Sequence, residues 1–559
     1  MFEGKKISIK ELVAVTALSI LVVFGVVCGL GTLTSGWHLV DDHEFLEFQY
    51  MFKYQDKSLM DVIKWAMSWD TTTRNNIFYY PLRITMCYLV GANSVAISII
   101  KAAEIVVFMV LLCACGKKIT GNFWVSILFA VTCLVGYQSA LWWKLGPEQV
   151  QAGICFGISF LLLLKWLEAP DKRHFAVWSI VFSVLMGFFH ESFILVMPFL
   201  ALFPIYEKIN QQGIRFKGMI KNLKKECTGL WWYTIAVMIC CAVVLLEIVL
   251  RLGLNSYDPV SFDQSTSIYR YITTFIYSLK DGLKWYYYFG IALLGVILTY
   301  YDKIKNKWAD VVIAIVFIAP QFVLYSKEGI AERYIIPVVI GIAMFFILFV
   351  YRNGFLNGHR KRIYAVILAL MLILNVRGMV VEGDYFRFRG ESVTKVLTTT
   401  KDMSQKGYKV MCCLGNANPE ADWTVDMYMK SEGLPDVYYL NTVMNKATDV
   451  RPMLKADSVN LYDIYEMDVI YAYNRDDRHF VIEPNIDFSD YVQKKCGSID
   501  IYFKKEVIDD IGEEYLDKLS VPLAHFIFVQ SFLLTISSRT CSFSSFSNSS
   551  LETFSLSIL

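Results

Sequence analysis

Long apolar segments separated by short charged loops dominate this sequence. About 20 apolar residues suffice to cross a bilayer as a helix, and a helix satisfies its own backbone hydrogen bonds in lipid. Segments of roughly 15 to 22 such residues occur at 12–33, 95–115, 122–137, 148–164, 175–190, 192–207, 231–252, 286–301, 308–325, 334–351 and 363–380. The sequence therefore predicts a polytopic α-helical membrane protein with about 11 transmembrane helices.

Basic residues occupy alternate loops, which orients the predicted chain. With the N-terminus inside, the cytoplasmic loops hold Lys117 and Lys118, and then the basic residues of 165–173, 208–225, 303–307 and 352–362. The first apolar segment is too long for a signal-peptide core and has no cleavage site, so we expect a retained anchor in the cytoplasmic membrane. The basic residues form no continuous patch, and no nucleic-acid partner is expected.

An outward loop at 34–94 separates the first two apolar segments. Within it Phe45, Phe48, Met51 and Trp65 recur at helical spacing among charged residues. This pattern is typical of helices that lie in the plane of the membrane interface. We therefore expect the loop to rest on lipid headgroups of the bilayer.

The sequence changes character after residue 380. Short strands are predicted at 409–414, 437–440, 469–473 and 499–503, and helices at 392–405, 420–432 and 487–495. This predicts a membrane module over 1–380, followed by a small α/β domain on the outer side over 381–518. The Ser/Phe-rich remainder, 519–559, is predicted to be a disordered tail.

A dense ionisable cluster, Asp41, Asp42, His43 and Glu44, follows the first apolar segment. Charged groups beside hydrocarbon are costly, so such a cluster is typical of a functional site. A carboxylate in a partly water-excluded site has a raised pKa and can remove a proton from a hydroxyl group. The pattern leaves open which aspartate is the base, whether His43 and Glu44 hold a divalent cation such as Mg or Mn, and whether the cluster is only a helix cap in water.

Two further polar sites interrupt apolar sequence. His190 and Glu191 divide the segment 174–207, whose two flanks are both basic, so we predict a hairpin with its turn slightly below the outer surface. There the pair could bind substrate, or form only a polar hairpin tip. Lys144 follows two tryptophans at the end of a span; it is a weaker candidate, because Trp with Lys is a common interface anchor.

The arrangement resembles the GT-C superfamily of membrane glycosyltransferases. The resemblance consists of an acidic pair in the first outward loop, an interfacial region that contains Arg74 and Arg83, a large outward loop in the second half and a C-terminal extramembrane domain. Glu332-Arg333-Tyr334-Ile335-Ile336-Pro337 also looks like the Arg-Tyr-x-x-Pro element of several such enzymes. The chain is also similar to uncharacterised multi-pass proteins of bacterial surface-polysaccharide loci.

The resemblance implies transfer of a sugar from a polyprenyl-phosphate carrier to a glycan, lipid or protein acceptor on the outer membrane face. Asp41 or Asp42 would be the base, and the substrate-binding residues would be Glu44, Arg74, Arg83, Lys144, His190, Glu191 and Arg333. The alternatives are a transporter or flippase for a lipid-linked saccharide, a glycan polymerase or ligase, and a surface receptor. No internal repeat typical of transporters is found in the sequence.

Overall fold

Helices make up most of the chain before residue 405, and a β-sheet follows. The computed structural model describes residues 8–38, 41–73, 77–143, 145–146, 149–212, 227–252, 268–298, 308–322, 332–354, 359–415, 419–435, 437–442, 444–451, 459–474 and 486–521. The helices of the first part are α1 Ile9–Gly29, α2 His43–Tyr54, α3 Leu59–Thr73, α4 Tyr79–Val90, α5 Ser94–Thr120, α6 Phe123–Leu134, α7 Gln149–Glu168, α8 Arg173–Phe189, α9 Met197–Gln212, α10 Trp231–Leu252, α11 Ile268–Leu298, α12 Trp308–Ile318, α13 Ile336–Ala343, α14 Val350–Arg352 and α15 His359–Gln405.

A helix overlaps each predicted apolar segment. Within the described residues, seven helices are long and apolar enough to cross a membrane, and they are Ile9–Gly29, Ser94–Thr120, Gln149–Glu168, Glu191–Gln212, Trp231–Ile248, Arg333–Arg352 and Lys361–Gln405. Shorter apolar helices lie at Phe123–Leu134, Arg173–Phe189 and Trp308–Ile318. The chain is therefore a mostly helical, multi-pass membrane protein, and the full number of crossings stays a prediction.

The helix ends beside the basic loops meet at one end of the bundle. Three ion pairs join these ends. Lys117 of α5 pairs with Glu11 of α1, Lys118 of α5 pairs with Glu168 of α7, and Arg352 of α14 pairs with Glu207 of α9. Each pair joins segments that the charge pattern assigns to the cytoplasmic side.

One continuous helix, α15, links the bundle to the C-terminal sheet. It has 47 residues, so at 1.5 Å per residue it is roughly 70 Å long. The predicted boundary between residues 380 and 381 therefore falls inside a helix and not at a linker. The C-terminal half of α15 also holds the chain ahead of the acidic cluster, because the Trp37 N–H donates to Thr394 Oγ1 at 2.8 Å and His38 Nε2 lies 3.0 Å from the Phe386 carbonyl.

The C-terminal segment contains a seven-stranded mixed sheet in the order β4-β3-β2-β1-β5-β7-β6. Strand β1 pairs in parallel with β2 and β5, and the other pairs are antiparallel. The elements are β1 Val410–Cys412, α16 Pro419–Ser431, β2 Tyr438–Asn441, β3 Lys446–Thr448, β4 Leu461–Tyr462, β5 Val469–Tyr473, β6 Tyr491–Cys496, β7 Ile499–Lys504, α17 Lys505–Ile511 and α18 Glu513–Asp517.

The four predicted strands correspond to β1, β2, β5 and β7, but the predicted helix over 487–495 is wrong. Most of that segment forms strand β6, which pairs with β7 through a short turn containing Gly497. Gly497 has φ of 62°, a left-handed conformation that glycine adopts without a Cβ penalty. The alternating burial along β6 is that of a strand with one face toward the core.

The loop over 34–94 packs on the C-terminal domain. Phe45, Phe48 and Met51 are buried in a hydrophobic cluster that also contains residues of α16 and of the sheet. The expectation that these three side chains rest on lipid headgroups is therefore wrong, because helical periodicity does not distinguish a lipid-facing side from a protein-facing one. On α3, in contrast, Trp65 is 40% exposed.

Candidate functional site

The acidic cluster begins at a strained turn. Asp41 has φ of 59°, a left-handed conformation that is uncommon outside glycine and asparagine. Asp42 follows as the residue before α2 and is fully buried, with Oδ2 accepting the His38 N–H at 2.6 Å. Burial raises the pKa of the Asp42 carboxyl, while its bond to His38 acts in the opposite direction. The two predicted base candidates therefore have different surroundings.

Arg83 of α4 anchors the other side of this turn. One terminal nitrogen lies 2.6 Å from Glu44 Oε2, and the other donates to the Asp41 carbonyl. The guanidinium is 3% exposed and its carbon lies 4.2 Å from the centre of the Phe45 ring. Tyr80 donates to Glu44 Oε1 at 3.1 Å. These contacts hold a buried cation beside Asp41 and Glu44.

The C-terminal domain brings a further carboxylate to the cluster. Glu420, in the first turn of α16, accepts a hydrogen bond from the Asp41 backbone N–H. Burial raises the pKa of Glu420 to about 7, the negative charges of Asp41 and Glu44 act in the same direction, and the Arg333 charge opposes them. Glu420 therefore has as neighbours the turn before α2 and the segment before α13.

Arg333 lies in a 3-10 turn, Glu332–Ile335, directly before α13. Its guanidinium carbon is 5.2 Å from the centre of the Tyr334 ring, and its charge acts on Glu420. The predicted acidic group and the predicted arginine thus have a common neighbour, although almost 300 residues of sequence separate Asp41 from Arg333. The structure places them on the same side of the bundle.

The predicted break between two helices at 190–192 is present, and the depth of this turn in the membrane stays a prediction. Helix α8 ends at Phe189, His190 is extended, and a 3-10 turn over Glu191–Val196 leads into α9. His190 is buried, with Nδ1 at 2.7 Å from Ser192 Oγ and Nε2 at 2.8 Å from Gln149 Nε2. The His190 ring packs 5.4 Å from that of Tyr334, so it supports the segment that carries Arg333, and Glu191 beside it is half-buried.

His43 and Glu44 do not fit a divalent cation. His43 stacks on Trp423 with ring centres 4.2 Å apart, while Glu44 is paired with the Arg83 guanidinium, which would repel a second cation there. Burial lowers the pKa of His43 to about 4. Within the described part of the chain, no three His, Cys, Asp or Glu side chains are grouped so as to hold a metal ion.

We therefore expect that removal of divalent cations leaves the reaction proposed below unchanged. The arginines already supply positive charge where a metal ion would act. The measurement is the initial rate of the purified protein after exhaustive EDTA treatment, with and without added Mg²⁺ or Mn²⁺. A loss of activity that either metal restores would contradict this expectation.

A narrow cleft opens beside Arg83, between α4, α5 and α7. Its walls include Phe45, Tyr79, Lys101, Gly146 and Gln151. Lys101 is 3% exposed and lies 3.8 Å from Glu104. The cleft therefore combines two cationic side chains, each with a carboxylate partner, with an apolar wall.

The structure brings together some of the residues predicted from the sequence, and their roles stay predictions. Asp41, Glu44, Arg83 and Arg333 were predicted, whereas Glu420 was missed because it reads as an ordinary acidic residue in the first turn of an amphipathic helix. Arg74 and Lys144 lie outside the described residues. The raised pKa that marks Glu420 arises from burial between segments far apart in sequence, which no local pattern shows.

Comparisons with known proteins give a weak structural likeness and no match in sequence. No family model matches the chain, and no curated protein matches it. The chain is similar to the crystal structure of ArnT from Cupriavidus metallidurans bound to undecaprenyl phosphate, at 11% sequence identity and a TM-score of 0.40. The match covers 76% of this chain and 85% of that chain. The function proposed below therefore rests on the contacts of the described residues.

Proposed function

We propose that this protein is a GT-C-type membrane glycosyltransferase. It moves a sugar from a polyprenyl-phosphate carrier to a glycan, lipid or protein acceptor on the outer membrane face. The observation that carries the proposal is the convergence of Asp41 and Arg333 on Glu420, with Arg83 bound to the Asp41 carbonyl. A base and cations on adjacent sides of one site are what displacement at a sugar phosphate requires.

The proposed reaction is a single displacement at the anomeric carbon. Asp41 takes the proton of the acceptor hydroxyl, whose oxygen forms the new glycosidic bond. The bond between the anomeric carbon and the phosphate oxygen breaks, and its electron pair leaves with the polyprenyl phosphate. Arg333 and Arg83 stabilise the negative charge that develops on that phosphate, because charge-assisted contacts from guanidinium groups suit phosphate geometry.

The other site residues have supporting roles in this proposal. Asp42 is a positioning residue, because it is buried and holds the His38 backbone. Glu44 orients Arg83 through the 2.6 Å contact. His190 supports Tyr334 and hence the Arg333 segment. Lys101, in the cleft beside Arg83, offers a point charge to the same phosphate.

The direct test is transfer by the full-length protein in lipid vesicles. Radiolabelled lipid-linked sugars extracted from cells that lack the protein serve as donors, and an envelope preparation from those cells serves as acceptor. We expect label to move to the acceptor while polyprenyl phosphate is released in equal amount. Passage of intact lipid-linked saccharide across the vesicle without bond cleavage would overturn the proposal in favour of a transporter. Attachment of whole glycans would instead indicate a polymerase or ligase.

A further inference from the structure

The interface between α2 and α16 extends along the whole of α2. At its start the His43 ring stacks on the Trp423 ring. The Arg451 guanidinium also packs on Trp423, with its carbon 4.6 Å from the centre of that ring. At its end Tyr54 packs against Gly433, where an added Cβ would lie 2.6 Å from the Tyr54 hydroxyl. The two helices are therefore in close contact from one end of α2 to the other.

A charged group of the C-terminal domain also lies beside this contact and faces Glu47 of α2. Asp426 of α16 pairs with Lys430 at 2.8 Å and lies 3.7 Å from Arg451 Nε. Glu47 of α2 faces the same group, and burial raises its pKa to about 7, with the Arg451 charge opposing the shift. Side chains with charges matched across an interface fix its register. The position of α16 relative to the acidic cluster is therefore specified by the sequence.

The packing of α16 on α2 places Glu420 against the turn at Asp41. The backbone of Asp41 is held on both sides of its Cα atom. Its N–H donates a hydrogen bond to Glu420, and its carbonyl accepts one from Arg83. A left-handed aspartate persists only where its surroundings hold it there. One of the two groups that hold Asp41 belongs to the membrane module, and the other belongs to the C-terminal domain.

We infer that the C-terminal domain is part of the active site, where Glu420 is a positioning residue that fixes Asp41 and adjusts its basicity. This inference rests on the transfer reaction proposed above. None of the site residues predicted from the sequence lies in the domain over 381–518.

The charge of Glu420 gives the inference a measurable consequence. The charged groups that face Glu420 are Asp41, Glu44 and Arg333. Ionised Glu420 makes Asp41 a stronger base, because a neighbouring negative charge disfavours the ionised carboxylate of Asp41 and favours its uptake of a proton. Glu420 ionises near its pKa of about 7, so the transfer rate is expected to rise as the pH increases through that region. Below it, Glu420 is protonated and Asp41 is a weaker base.

Two variants separate the charge of Glu420 from its hydrogen bond. Glu420→Gln keeps an oxygen that can accept the Asp41 N–H but removes the charge, so kcat should fall about tenfold and the rise in rate near pH 7 should disappear. Glu420→Ala also removes the acceptor, so kcat should fall about 100-fold, as for a displaced catalytic group. The KM for the extracted donor should stay unchanged in both, because the phosphate contacts are intact.

The matched control is Glu432→Gln. Glu432 lies just after α16 and forms a surface pair with Lys401 at 2.6 Å, away from the acidic cluster. This variant should have the wild-type rate and the wild-type pH profile. A Glu420→Gln protein with the wild-type pH profile would overturn the inference, as would equal loss of donor binding in both Glu420 variants, which indicates collapse of the fold.

The same experiment distinguishes this inference from the proposed function. If the wild type transfers sugar and Asp41→Asn does not, but Glu420→Gln behaves as wild type, only the role of Glu420 is wrong. If no lipid-linked sugar from the extract is transferred by the wild type, the proposed function itself fails. The assay uses the full chain in vesicles throughout, so that the docked domain is present.

Discussion

Replacement of Arg333 by alanine is expected to lower kcat for sugar transfer by about 10²- to 10³-fold, the usual effect of removing one group that stabilises developing charge. Arg333 lies beside Glu420 and over the Tyr334 ring, in the turn directly before α13. Arg333→Lys should be nearly as damaging, because an ammonium group is a point charge and does not reproduce two parallel hydrogen bonds to phosphate.

The measurement for Arg333 separates binding from turnover. Initial rates at several donor concentrations give kcat and KM, and binding of a short-chain polyprenyl phosphate gives the affinity for the leaving group. The control is Arg173→Ala, an exposed arginine at the first residue of α8 and next to the basic loop after α7. Full activity of Arg333→Lys would show that bidentate contact is not needed, and full activity of Arg333→Ala would remove Arg333 from the site.

The membrane part of the fold could be predicted from the sequence because hydrophobicity reports directly where a helix meets lipid. The same signal does not report where a helix ends. Apolar sequence stops near residue 380, while α15 continues to Gln405 as a polar helix against residues 31–38 and the sheet. A boundary drawn from hydropathy alone therefore divided one structural element between two domains.

The site could be predicted where its residues stand out locally. Asp41 and Glu44 are unusual beside a membrane exit, and Arg333 lies in a short motif. Glu420 has no such signal, since its role depends on the packing of α2 on α16, which joins parts of the chain that are far apart in sequence. Its raised pKa, a consequence of that burial, is a property of the folded chain.

The structure also explains why the aromatic loop was misassigned. Phe45 and Phe48 have the spacing of an interfacial helix, and burial against α16 satisfies the same spacing. Whether such a helix packs on lipid or on protein depends on the surface that it meets. Here that surface belongs to the C-terminal domain. The loop and the domain share one hydrophobic cluster, so the acidic turn is fixed by residues from both halves of the chain.

Asp41→Asn and Asp42→Asn are expected to have very different effects, although the two residues are adjacent. Asp41→Asn removes the proposed base and should lower kcat by about 10²- to 10⁴-fold. Asparagine tolerates the left-handed conformation well, so the turn with φ of 59° should be kept and the loss should be chemical. Asp42→Asn keeps an oxygen for the His38 N–H, so its effect on kcat should be less than about tenfold.

The comparison requires both variants at equal levels in the membrane, with transfer to the envelope acceptor and thermal unfolding measured side by side. Asp41→Asn should unfold at the wild-type temperature while transferring almost no sugar. Asp42→Asn should retain most of its activity, because burial raises the pKa of this carboxyl and its partner is a backbone amide. The reverse order of activities would make Asp42 the base, and normal transfer by the double variant would eliminate the acidic turn from the mechanism.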